Sequence, residues 1–219
     1  MARIAPLLVA LSLTLLEGAA AAAEVKGLIT ISPDFQLTPL FDAPGYWQLP
    51  NDAMEVQPPL VDPRTEMVAE LRGSGLPSKS LVKPELRIED SRMVPQVVPV
   101  KPNEKVTVLN QDWMAHIVET QGLRAKRLGP GDSVQHAFAK PGIYLLKGTE
   151  VPHLVAEIFV SDAPLVTVPD ASGTFRFPDI PSGSYNLQLW YRGKVIYKEP
   201  VAAKGAIRVD IQLKRRGKD

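Results

Sequence analysis

The 219 residues include three histidines, five methionines and no cysteine, and that inventory decides which metal chemistry is open. A blue copper centre needs a thiolate beside two imidazoles, because copper–thiolate bonding in trigonal geometry sets its potential. Without a thiolate, that centre cannot be built. A His–His–carboxylate set can still hold zinc or Cu(II). His116 and His153, with Glu150 or Glu119, are the residues that could supply one. His136 stands in an expected strand between polar and apolar neighbours and reads as structural. No serine nucleophile elbow, phosphate-cradling glycine loop or His-Glu-x-x-His pattern occurs, so the chain is expected not to be an enzyme.

Two other chemistries are available to the aromatic residues. Trp190-Tyr191, Trp113 and Trp47 could stack on sugar rings, although neighbours on one strand point to opposite faces and only one of the Trp190-Tyr191 pair can face outward. Asp112-Trp113-Met114 places a tryptophan and a methionine in the loop before His116. With Pro152 and Leu154 they would form an apolar rim around that histidine, suited to contact with a protein partner.

Short runs rich in Val, Ile and Leu must position these residues. They fall at 86–89, 97–100, 105–109, 116–119, 133–138, 142–146 and 155–160, each bounded by Pro, Gly, Asn or Asp. That spacing predicts a β-sandwich. A later block has a hairpin signal at Asp170-Ala171-Ser172-Gly173, then Phe175 and Phe177 on one face and Tyr185, Leu187 and Leu189 alternating, which predicts a second, smaller sandwich. Earlier runs at 25–31 and 66–72 also read as strands, the second stopping at Gly73-Ser74-Gly75. Prolines at 33, 39, 44, 50, 58, 59 and 63 leave little room for helix between them. That stretch is either an extended connection pinned by Phe41, Tyr46 and Trp47, or disordered. No long amphipathic helix is expected.

The first residues suggest an address. Arg3, the apolar run PLLVALSLTLL and the alanines from Ala19 to Ala23 have the layout of a secretory signal peptide, with cleavage expected after Ala23. The apolar run is short for a span of about 20 residues, and no later segment is apolar enough to cross a bilayer. The expected location is the periplasm or the exterior, without a transmembrane anchor. Lacking disulfides, the fold must rely on core burial. A net charge of +1 gives no argument for nucleic acid, and Lys214 to Lys218 read as a solvated tail.

Two family resemblances sharpen the expectation. The turn 170–175 and the stretch Pro181-Ser182-Gly183-Ser184-Tyr185-Asn186-Leu187 resemble the carboxypeptidase regulatory-like, transthyretin-like sandwich. That resemblance implies that residues 27–31 and 67–72 are the first strands of the same unit, with the middle sandwich inserted in one of its loops. The middle block resembles cupredoxins of the plastocyanin-like or methylamine-utilisation type. The resemblance rests on Val94-Pro95, Val100-Lys101-Pro102, Val106-Thr107-Val108, Asn110-x-Asp112, His116-x-Val118 and Phe138-x-x-Pro141-Gly142. It implies that His116 stands at the first copper imidazole. Gly148, Val151 and Leu154 would stand at the positions of the Cys, His and Met ligands, so the copper site is degenerate.

The whole is expected to be all-β, a cupredoxin-like Greek-key sandwich inserted in or joined to a smaller transthyretin-like one. The expected division is a signal peptide at 1–23, the first part of the outer sandwich with the proline-rich segment at 24–83, the cupredoxin-like domain at 84–162, the regulatory-like sandwich at 163–213 and a tail at 214–219. The expected role is that of an exported, non-catalytic binding or assembly component without a cofactor, acting with a protein of the cell envelope. One alternative is a divergent copper or zinc protein using His116. Another is a carbohydrate-binding module.

Overall fold

The computed structural model describes residues 22–35, 37, 40, 62–150 and 153–214. The chain enters through β1 (Ala22–Ile31), and a 3-10 turn (Pro63–Glu66) leads into β2 (Val68–Arg72) and the short β3 (Lys79–Ser80). Nine strands come next, without a break, in their own sandwich: β4 (Glu85–Glu89), β5 (Arg92–Val94), β6 (Val97–Val100), β7 (Lys105–Asn110), β8 (His116–Thr120), β9 (Leu123–Leu128), β10 (Ser133–Ala137), β11 (Gly142–Gly148) and β12 (Val155–Val160). The chain then returns through β13 (Leu165–Thr167), β14 (Thr174–Pro181), β15 (Gly183–Tyr191), β16 (Lys194–Ala203) and β17 (Ala206–Leu213).

These strands make four sheets. The central sandwich joins the sheet β10-β7-β4-β5 to the sheet β6-β12-β11-β8-β9, and the outer sandwich joins β14-β1-β17 to β16-β15-β2-β13-β3. Alternation drives each pairing: β7 buries Val106, Val108 and Asn110, and β15 buries Tyr185, Leu187, Leu189 and Tyr191. One core gathers Leu86, Ile88, Val118, Leu146, Ile158 and their neighbours, while the other gathers Val25, Ile29, Leu71, Phe175, Phe177 and Leu187. The first strands of the chain pair with its last ones. β1 runs antiparallel to β14 and parallel to β17, and β2 lies between β15 and β13. The fold is therefore all-β, with one sandwich inserted in another.

Six strands were not individually evident in the sequence, β16 and β17 among them. β9, Leu123-Arg124-Ala125-Lys126-Arg127-Leu128, has no alternation because it forms a sheet edge with four consecutive exposed residues. β3, β5 and β13 are only two or three residues long. Within the proline-rich stretch, Asp62 caps the 3-10 turn, accepting from the Arg64 amide at 2.9 Å. Phe41, Tyr46 and Trp47 lie outside the described residues.

The two sandwiches meet face to face. Val68, Val166 and Trp190 of the outer unit pack with Val97 and Phe159 of the central one, the Trp190 and Phe159 rings 5.5 Å apart. That second covering explains why β12 is buried at every residue. Charged groups are enclosed with the apolar ones. Glu70, 1% exposed, accepts from Trp190 Nε1 at 2.9 Å, from Arg72 Nε at 3.0 Å and from the Ser161 hydroxyl. Arg72 reaches on to Asp162, and Lys101 Nζ donates to the Ala163 carbonyl.

A second charged cluster centres on Arg192, held at φ 47° in the two-residue turn between β15 and β16. Its Nη2 donates to Glu66, and its Nη1 lies 3.4 Å from Glu157 Oε2 on β12. Burial pushes both carboxyls above their ordinary value, further than Arg192 pulls them back.

These contacts account for two of the aromatic residues offered for sugar stacking, while Trp113 stays exposed. Trp190 is wedged between the sandwiches, and Tyr191 is 5% exposed with its hydroxyl donating to Glu66. Neither presents a free ring. Trp47 lies outside the described residues. No helix among the described residues is long and apolar enough to cross a membrane.

Candidate functional site

One end of the central sandwich gathers the β4–β5 turn, the loop at 111–115 and the β11–β12 connection. Asn110 ends β7 fully buried, and its side chain organises the loop after it. The amide nitrogen donates to the Met114 carbonyl at 2.8 Å and to the Leu128 carbonyl at 3.0 Å, while the amide oxygen accepts from the Asp112 N–H at 3.0 Å. Buried polar groups must find partners, and here three of them fix a loop to two strands.

Asp112 is the second hub. Its Oδ2 accepts from the Ser91 N–H at 2.9 Å and lies 2.7 Å from His116 Nε2. Asp90 and Ser91, at φ 50° and 58°, form the two-residue turn that aims the Ser91 amide at this carboxylate. Burial pushes the Asp112 carboxyl up, but the Ser91 amide, His116 and the Asp90 amide outweigh it and hold it below 3.8. An ionised carboxylate only accepts, so the hydrogen in the His116–Asp112 bond belongs to His116 Nε2. From this pinned base Trp113 stands out 86% exposed and Met114 40% exposed.

The metal set expected from the sequence does not assemble. His116 is 1% exposed, and its Nε2–H bond to Asp112 leaves Nδ1 as the ring's acceptor. Glu150 and His153 are exposed on the β11–β12 connection. Among the described residues, no three His, Asp or Glu side chains converge on a point where an ion could sit. His136 is half-buried and packs edge-on against Phe138, as a structural side chain does.

The contact rim is also corrected in part. Leu154 is 1% exposed and belongs to the central core, so it is no surface residue. Its side chain fills the space beside Gly148, where an added Cβ would come within 2.6 Å of it. Apolar packing occupies the position that the cupredoxin resemblance gives to a ligand. Pro152 and Val151 lie outside the described residues. Trp113 and Met114 remain as the exposed part of the rim.

Sequence reasoning missed Asp112 as a partner of His116 and missed Asn110 as the loop's anchor. The pattern Asn-x-Asp-x-x-x-His carried the signal, but only a folded loop shows that its polar side chains turn inward. The pairing has a measurable consequence. Asp112→Ala leaves the buried His116 donor unpaired, at about 1–3 kcal/mol, and the half-buried Ser91 amide without its partner at a smaller cost. Urea unfolding should show a loss of that order. A variant as stable as the parent would remove Asp112 from its place as hub. The folded carboxyl lies below 3.8, so its contribution is present above that value and lost as pH falls through the folded one.

No protein-family model matches the chain, and no curated protein matches it. Among solved structures it is similar to a purple cupredoxin from Nitrosopumilus maritimus, at 22% identity and a TM-score of 0.32, over 35% of this chain and 98% of that one. It is similar to amicyanin from Paracoccus versutus at 21% identity and a TM-score of 0.33, over 35% of this chain and 79% of that one. A copper-containing nitrite reductase from Thermus scotoductus is similar at 20% identity and a TM-score of 0.33, over 40% of this chain and 23% of the reductase.

Proposed function

We propose that the protein is an exported, non-catalytic binding or assembly component of the cell envelope, and that the loop at 111–115 is its contact surface. The observation that carries this reading is Trp113, 86% exposed on a loop that buried Asn110, Asp112 and His116 hold in place. A loop backbone fixed in advance lowers the ordering cost when a partner covers its ring, which favours a binding hot spot. Met114 widens the apolar contact. The outer sandwich attaches through β6, β12 and residues 161–162 and leaves this end uncovered. Support for a binding role without a metal comes from Leu154, which fills the space beside Gly148.

A photo-crosslinking residue placed at 113 should give one discrete adduct in the envelope. The same residue at Val195, 44% exposed on the outer sandwich, should not. Trp113→Ala should abolish capture of the adducted protein and leave the melting temperature within about 1–2 °C of the parent, as for a surface change of under ~0.5 kcal/mol. Equal labelling from both positions, or none, sinks the proposal.

A further inference from the structure

We propose that the exported protein begins at Ala22, its leader being cut after Ala21 and not after Ala23. The inference rests on the proposal that the protein is exported. The alanines from Ala19 to Ala23 satisfy an Ala-x-Ala rule for cuts after Ala21, Ala22 or Ala23 alike, so the leader's own pattern does not choose among them. The folded strand does.

β1 starts at Ala22, which pairs with Pro181, and Ala23 pairs with Ile180. Ala23 is 2% exposed and belongs to the outer core with Val25 and Ile180. A cut after Ala23 removes that buried methyl group and shortens the β1–β14 ladder at its end. It also places a new α-ammonium on half-buried Glu24, whose N–H donates to the Gly205 carbonyl at 3.2 Å. A cut after Ala22 removes the Ala22–Pro181 pair and puts the ammonium on Ala23, whose methyl group belongs to the core. After a cut at Ala21 the ammonium falls on Ala22, which is exposed. Of the three starts, only Ala22 keeps the strand whole and leaves the new charge in water. The peptidase reads the chain before it folds, so the fold does not steer the cut. It determines which product folds completely, and a leader fitted to its own protein yields that product.

Intact mass and N-terminal sequencing of the full protein recovered from the cell envelope fraction test this directly. Ala22 at the N-terminus is the expected result. Ala23 or Glu24 there overturns the assignment, while an uncut chain overturns the export reading instead. Proteins released from a cleavable tag to start at Ala22 or at Glu24 test the physical basis separately. The Glu24 form should melt a few degrees lower. Equal melting would mean that Ala22 and Ala23 contribute nothing to the fold, and the proposal would fall.

Discussion

The Gly27→Ala protein should be less stable than its parent by about 3 kcal/mol or more, at the upper end of overpacking costs, for the addition of one methyl group. Gly27 pairs with Phe175 across the β1–β14 ladder, and the phenyl ring lies flat over the glycine. A Cβ built on Gly27 falls 2.0 Å from Phe175 Cζ, 2.1 Å from Cε1 and 2.6 Å from Cε2. Neither side can yield cheaply. The ring is 2% exposed and packed edge-on against Phe177 at 5.8 Å. The backbone of β1 is bonded on both sides, to β14 and to β17. Phe175→Leu should recover part of the loss when combined with Gly27→Ala, although alone it costs stability. Chemical denaturation of the four proteins measures the coupling. If Gly27→Ala matches its parent, the close approach of ring and glycine does not exist.

Arg192→Ala should cost about 3–5 kcal/mol at neutral pH, because it leaves Glu66 and Glu157 buried without their shared cation. The penalty should shrink in acid. In the parent, both carboxyls already sit above their ordinary 4.5 because burial disfavours their charge. A group raised in this way contributes stability that is full below 4.5 and lost as pH rises through its folded value. Without Arg192 both values climb further, and the variant gains more than the parent from each step of acidification. Asp62, Asp112 and Asp162 are shifted downward and act in the opposite sense, yet they are common to both proteins and cancel in the difference. Urea midpoints at neutral and mildly acidic pH suffice. A penalty that does not change with pH would show that the two carboxylates are not what Arg192 neutralises.

The core strands were legible because their alternation matches their burial. Val106 and Val108 on β7, and Tyr185, Leu187 and Leu189 on β15, point inward as their spacing requires. The same logic concealed the junction. Glu70 stands between Ala69 and Leu71, and in an alternating strand a charged residue reads as the wet face. Here the wet face of one sandwich is the dry face of the joint, and only the second unit reveals it. Glu157 on β12 was missed for the same reason, and Glu66 and Arg192 because charged residues in turns read as solvated. Leu154 reads from the sequence as part of the apolar rim around His116, whereas its side chain packs against Gly148 in the core. Trp113 was legible as an exposed candidate, but the anchoring through Asn110 and Asp112 depends on a loop path that no periodicity encodes.

The pairing of β1 with β14 and β17 fixes an order of assembly. A chain made or threaded from its first residue presents β1 long before residues 174–181 and 206–213 exist to flank it. The central sandwich, whose partners all lie between residues 85 and 160, has everything it needs much earlier. Contacts of such sequence separation form late, since loop closure must be met before they reward it. β1 and β2 therefore spend that interval as unpaired, apolar-edged strands, the state most open to mispairing with another chain. The last strand to emerge ends the exposure, so a stop before Ala206 leaves a finished inner body carrying an open sheet.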